Sequence, residues 1–319
     1  MHLLRIGVTL GDPRGIGPEI AAAAARRFRA DAATHRTVFI GPAGTGADAA
    51  ADEFIAIGAW RAAADAATAG RLAGAAIDEA IRLARTGALD AIVTAPIDKA
   101  ALHAAGYDFP GHTEMLASRC GAADVVMMMA AERTVLGGPL RVVLATTHIP
   151  LAAVPRAVDA RLLVAQTRTA VRGLRAGWDM PDPRVALCAF NPHASDGGLF
   201  GTEEERIYAP AMAALRDAGI DVAGPVPADT VFLRAARGEF DVVIAPYHDV
   251  GMAAFKTVTF GTGVNVTLGL PFPRTAPDHG TALDIAGRGM ADPSSMHEAL
   301  RLAARLAAAR HTSSAAAHA

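Results

Sequence analysis

The nine residues 241–249, DVVIAPYHD, decide the fold. Three β-branched residues and an alanine run without polar interruption, a proline stops them, and a histidine follows. A short apolar run without alternation marks a strand buried on both faces of a parallel sheet. Two other segments share the form: 141–148, RVVLATTH, and 184–193, RVALCAFNPH. Working outward, Leu3 to Leu10, Thr37 to Ile40 and Ala91 to Ala95 read as further strands. Between them lie stretches with helical spacing, Ala75 to Arg85, Ala157 to Leu174 and Ala209 to Asp217. Strand alternating with helix implies right-handed βαβ units and mostly parallel sheets covered by helices, so the expected class is α/β.

The chain has 319 residues, more than one average domain, which favours two lobes. Its 52% hydrophobic and 19% charged residues exclude disorder. Thirty basic against thirty-two acidic side chains, with no basic block, argue against nucleic acid as a partner. Cys120 and Cys188 are too few for a disulfide framework and form no CxxC pair, which fits a reducing, cytoplasmic setting. The N-terminal apolar run breaks at Gly11, Asp12 and Pro13, too early for a signal core or membrane span. No linker rich in Pro, Gly or Ser separates two halves. The expected division places 1–127 with 285–319 in a first lobe, and 128–284 in a second carrying most metal and phosphate residues.

In open parallel sheets, ligands bind beyond the carboxyl ends of the strands. Three runs end in histidine there: His148, His193 and His248. Neutral imidazoles suit Zn²⁺ or a similar divalent ion, and three protein ligands with an open position describe a catalytic site. The sequence gaps match no compact metal motif, and a buried structural role explains any one histidine alone. Asp249, beside His248, is a candidate outer partner or proton carrier.

In Phe255 to Gly280, a stretch poor in charge, Lys256, Asn265 and Arg274 recur nine residues apart. A lysine, an amide and a guanidinium converging on one point would neutralise and orient a phosphate dianion. A solvated Lys and Arg with a turn Asn fit the same spacing. GHTE, Gly111 to Glu114, reads as a helix start with Thr113 as cap and His112 near amide dipoles that attract anions. Capping alone also explains Thr113. GDPRGIGPEI, 11–20, is a Gly-rich turn between strand and helix, yet it carries neither GxGxxG nor the Walker lysine pattern. Ser195 lacks a GxSxG elbow, which argues against a hydrolase triad.

GDPRGIGPEI, PIDK (96–99), GHTEMLA (111–117), ATTHIPL (145–151), NPHASDGG (191–198) with FGTEEE (200–205), PADT (227–230), YHDVG (247–251), FGTGVNVTLGLPFPRT (260–275) and DHGTALDIAGRG (278–289) occur in this order. Together they resemble the 4-hydroxythreonine-4-phosphate dehydrogenase (PdxA) family over nearly the whole chain. The resemblance implies a fold like isocitrate and isopropylmalate dehydrogenases, a homodimer with the active site shared between subunits, and NAD or NADP bound without a Rossmann motif. It implies one divalent ion (Zn, Mg or Co) on His148, His193 and His248, which need not converge within one chain. It matches His112, Thr113, Lys256, Asn265 and Arg274 to substrate contacts, with Asp249 and Lys99 as candidate proton acceptors.

The implied reaction oxidises a phosphorylated four-carbon hydroxy acid, 4-phosphohydroxy-L-threonine, to a 3-oxo acid that loses CO₂, on a route to pyridoxal phosphate. Sister groups act on D-threonate or D-erythronate 4-phosphate, giving dihydroxyacetone phosphate, and a third group handles aromatic dihydrodiols without phosphate. GHTE with Lys256, Asn265 and Arg274 favours the phosphorylated substrates. Arg14 puts a large cation where many relatives carry a small residue. A metal-dependent phosphatase and a non-catalytic ligand-binding protein on the same fold are the alternatives of other classes.

Overall fold

The computed structural model describes residues 3–31 and 35–317. The chain divides into two compact units, Met1–Ala123 with Val264–Ala319, and Asp124–Gly263. The first holds strands β1 (Leu4–Thr9), β2 (His35–Ala43), β3 (Glu53–Ala59) and β4 (Ala91–Thr94), with helices α1 (Gly17–Asp31), α2 (Ala66–Arg85), α3 (Lys99–Ala104) and α4 (His112–Cys120). The second holds β5 (Val126–Ala131), β6 (Leu140–Leu144), β7 (Val185–Cys188), β8 (Val222–Val226) and β9 (Val242–Ala245). Its helices are α5 (Val154–Ala157), α6 (Ala160–Trp178), α7 (Ala209–Asp217), α8 (Ala228–Ala236) and α9 (His248–Thr259). The chain then returns to the first unit as β10 (Val264–Leu268), β11 (Arg274–Pro277) and α10 (Ser294–Ala317).

In the first unit the strand order is β3-β2-β1-β4-β11-β10. All pairs are parallel except the hairpin β10–β11. This hairpin corrects the expected boundary at 284. Arg274 and Thr275 pair with Ile92 and Val93 of β4, so 264–284 belongs with the first unit. The core joins Val38, Ile40 and Ile92 of the sheet to Ile77 and Ile81 of α2 and to Met115 and Leu116 of α4. Helix α2 begins where Asp65 accepts the Thr68 N–H at 2.8 Å, nine residues before the expected Ala75.

In the second unit the order is β5-β6-β9-β7-β8, with only β5–β6 antiparallel. Strands β6, β9 and β7, the three that lead to histidines, are therefore neighbours. The expected helix from Ala157 is split: Val158 is extended, and Asp159 caps α6 by accepting the Leu162 N–H at 2.7 Å. Helix α9 lies so close to the sheet that a Cβ at Gly251 would come within 2.5 Å of Leu144 Cδ2. Among the described residues, no helix is long and apolar enough to cross a membrane.

Candidate active site

Two imidazoles meet at the carboxyl ends of β6 and β9. The ring centroids of His148 and His248 are 5.7 Å apart, beside a cavity of about 190 Å³ lined also by Thr146, Leu151, Tyr247 and Asp249. The main chain holds the two loops together just before the rings. Ala145 donates its N–H to the Ala245 carbonyl at 2.9 Å, and the buried Thr146 hydroxyl donates to the Pro246 carbonyl at 2.8 Å. His248 opens α9, and its Nδ1 lies 2.8 Å from Asp249 Oδ1. That contact holds the ring by Nδ1, as carboxylates do behind metal-bound histidines.

His148 has a left-handed backbone (φ 51°), and so do the four consecutive residues His193, Ala194, Ser195 and Asp196 (φ 51°, 55°, 69° and 44°). Each such non-glycine residue costs roughly 1–2 kcal/mol, and runs of this kind cluster at functional sites. Because the chain leaves β7 through this turn, His193 does not join the other pair, and its ring lies 6.4 Å from that of Phe200. Among the described residues, no group of three or more His, Cys, Asp or Glu in the chain is placed to hold a metal. A single-chain crevice with all three rings, the simplest reading of the strand ends, is thus corrected. Two imidazoles on tied loops, one backed by a carboxylate, fit a divalent ion as part of a ligand set. Ser195 donates its hydroxyl to Glu204 and not to a histidine, which agrees with the absence of a triad.

The first unit builds a different arrangement. Arg274 lies on β11 with only 2% of its surface exposed. Its Nη1 donates to Thr267 Oγ1 at 2.9 Å, its Nη2 donates to Thr94 Oγ1, and its Nε is buried without a partner. This burial excludes the solvated reading of Arg274. Among the described residues no carboxylate hydrogen-bonds to it. Burial lowers its pKa to about 10, with the Glu114 charge acting the other way. The Nε2 of His112 and the Oδ1 of Asn265 are also buried and unpartnered. Asn265 and Thr267 share one face of β10. The His112 imidazole is held well below the usual histidine range, first by burial and then by the positive charges of Arg274 and Lys99.

Helix α4 starts at His112 with Gly111 as its cap residue and no side-chain cap. Thr113 is therefore inside the first turn, which corrects its expected capping role. Lys99 opens α3 behind the cap residue Asp98, and its Cε is near Gly111. Lys256 is exposed near the end of α9, in the second unit. Asp249 is exposed and committed to His248. The first Gly-rich turn is tight: Gly11 is left-handed (φ 69°), and a Cβ there would lie 2.2 Å from the Pro96 carbonyl oxygen. Arg14 is not a free cation in that turn. Its guanidinium donates twice to the buried Asp12 carboxylate, at 3.0 and 2.7 Å, and stands 3.6 Å from Asp98.

Thr146 and Thr94 carry no signal in the sequence, since each acts through a partner 100 or 180 residues away. Thr267 lies seven residues from Arg274, and Glu204 nine to fourteen from its partners, and neither residue type marks such a position by itself.

The sequence profile of the pyridoxal phosphate biosynthetic protein PdxA matches residues 18–303. A 4-hydroxythreonine-4-phosphate dehydrogenase of Beijerinckia indica is 44% identical over 326 residues, covering 94% of each chain. A D-threonate 4-phosphate dehydrogenase of Cupriavidus necator is 49% identical over 247 residues, 76% of this chain and 71% of that one. The crystal structure of a 4-hydroxythreonine-4-phosphate dehydrogenase from Klebsiella pneumoniae superposes with a TM-score of 0.84 at 39% identity, covering 95% of this chain and 99% of the other. The fold is that of an α/β protein, and the match places it in the oxidoreductase class. The chain belongs to the PdxA family of dehydrogenases.

Proposed function

We propose that the chain oxidises the secondary alcohol of a phosphorylated four-carbon hydroxy acid, 4-phosphohydroxy-L-threonine, with NAD or NADP, and that the resulting 3-oxo acid loses CO₂. The observation that carries this reading is the pairing of His148 and His248 at the ends of neighbouring strands, in a chain of this family. When bound, a divalent ion (Zn, Mg or Co) would acidify the alcohol, and the nicotinamide would accept the hydride. His148 and His248 would hold that ion, Asp249 fixes the His248 ring, and His193 would complete the ligand set from the other subunit of a homodimer. Arg274, a buried cation to which no carboxylate hydrogen-bonds among the described residues, receives the phosphate with His112, Thr113 and Asn265, since an anion relieves the cost of burying a charge. His112, neutral, can donate one N–H to a phosphate oxygen without adding charge. Lys99 and Asp249 are the two candidates for the proton acceptor from the alcohol.

The second reading is D-threonate 4-phosphate oxidation, favoured by the Cupriavidus necator relative. The two substrates differ at carbon 2, amine against hydroxyl, and a single polar contact there discriminates strongly. The test is NADH or NADPH formation from 4-phosphohydroxy-L-threonine, D-threonate 4-phosphate and D-erythronate 4-phosphate, with metal-loaded and chelator-stripped protein. Turnover of the first only when metal is present is expected. Faster turnover of a sugar acid phosphate selects the second reading, and full turnover by the stripped protein refutes the metal role.

A further inference from the structure

Glu204 has no part in the reaction above, yet it is a buried carboxylate with only 6% exposure. Ionised carboxylates survive burial only when enough donors surround them. Oε1 of Glu204 accepts the main-chain N–H of Phe190 at 2.9 Å and of Asn191 at 2.7 Å. Oε2 accepts the side-chain amide of Asn191 at 2.8 Å and the hydroxyl of Ser195. Burial pushes this carboxyl up, and the bonds from Ser195 and Asn191 outweigh it, so its pKa stays below the usual range.

Three of the four donors precede His193, on Phe190 and Asn191, and one follows it, on Ser195. They hold the chain on both sides of His193, where the left-handed run His193 to Asp196 begins, and such a run needs surrounding contacts to persist. Glu204 also begins a π-type turn, Glu204–Tyr208, a rare form found often at functional sites. At the far end of that turn Tyr208, fully buried, donates its hydroxyl to the Cys188 carbonyl at 2.9 Å. One turn thus grips the chain at 188, at 190–191 and at 195. Nothing else in that set calls for a charged group: the backbone bonds alone would be served by an amide oxygen.

We infer that Glu204 is a positioning residue for His193, its carboxylate fixing the left-handed loop that presents the imidazole while touching neither metal nor substrate. The inference rests on His193 being a metal ligand. The experiment titrates the full-length, metal-free protein with Co²⁺ alone, following the visible absorption band under chelator competition, for the wild type, His193→Asn, Glu204→Gln and the double variant. Asparagine tolerates a left-handed backbone, so His193→Asn removes the ring and spares the loop. Glutamine keeps the shape of Glu204 and turns one acceptor into a donor facing Asn191.

His193→Asn and Glu204→Gln are each expected to weaken Co²⁺ about tenfold or more and to shift the band. The double variant is expected to bind no more weakly than His193→Asn, because both changes act through one ligand. A purely structural role for Glu204 predicts a lower melting temperature with an unchanged band and affinity, and that result overturns the inference. So does a double variant whose loss is the product of the single losses. Unchanged binding by His193→Asn would instead remove the metal reading on which the inference stands. If Glu204→Gln does not fold, Ser195→Ala removes one donor from the same carboxylate. It should weaken Co²⁺ in the same direction by a smaller factor, and unchanged affinity there also overturns the inference.

Discussion

The strand ends of the second unit and the sheet interior of the first place their functional groups by opposite means. His148, His193 and His248 are carried on loops and a helix start, half-buried or exposed, held by main-chain ties and by left-handed backbone. Arg274 and His112 are enclosed, and Arg274 is held by threonine hydroxyls of two flanking strands. The difference follows from charge. Under the proposed function, an imidazole that is to reach an ion loses little by standing in water, whereas a cation that is to hold a phosphate gains strength where the dielectric is low. The cost is borne differently too, as backbone strain in one unit and as the burial of a charge in the other.

If that contrast holds, Arg274→Met should separate binding from stability. The kcat/KM for the phosphorylated substrate should fall about a hundredfold, the worth of two charge-assisted bonds at about 1.5 kcal/mol each. The nicotinamide Kd should not change. The melting temperature of the ligand-free protein should hold, because methionine fills the space of a buried charge whose desolvation is costly. A drop of several degrees would show that the guanidinium supports the fold and that the comparison is wrongly drawn.

His112 offers a smaller effect with a definite sign. Its folded pKa lies below the usual value near 6.5 because of burial and nearby cations, so below that pH the unfolded chain binds a proton that the folded one does not. Stability from this group is complete above about pH 6.5 and is lost as the pH falls, by up to about 1.4 kcal/mol per pH unit. Denaturant unfolding of His112→Asn from pH 7 to 5 should show a flatter slope than the wild type. Equal slopes would mean that His112 is protonated in the folded protein.

The least change should come from Thr146→Val, which strips the Pro246 carbonyl of its buried donor at a cost of about 1 kcal/mol. Co²⁺ affinity should drop several-fold as the His148 and His248 loops separate, with the phosphate site untouched. Loss of substrate binding with intact metal affinity would reverse the roles given to the two units.

How much of this could be read from residues alone divides along the same line. In the second unit each histidine comes within five residues of the end of its own strand, and the order β6-β9-β7 makes the strands neighbours, though only His148 and His248 meet. In the first unit the candidate residues were legible but the elements that carry them were not. Val264–Leu268 and Arg274–Pro277 are short, and prolines at 271, 273 and 277 make the stretch look like a loop, yet they form the hairpin that fixes the boundary at 263. An arginine is exposed by default. Nothing near Arg274 in sequence announces Thr94, which comes from a strand far earlier in the chain. The cap of α4 was misplaced by two residues because Gly111 and Thr113 are both acceptable cap residues.

The bare Cα of Gly251 sets a limit on that face of α9. With Leu144, Ala245 and Val142 crowding the space where a methyl would stand, any larger residue at 251 has to push the helix off the strands. His248, three residues earlier on that helix, is indexed to the strands like a tooth in a fixed gear. If His148 and His248 hold an ion as proposed, variants sought for altered ion preference should be looked for between 145 and 151, where the loop is free of that constraint.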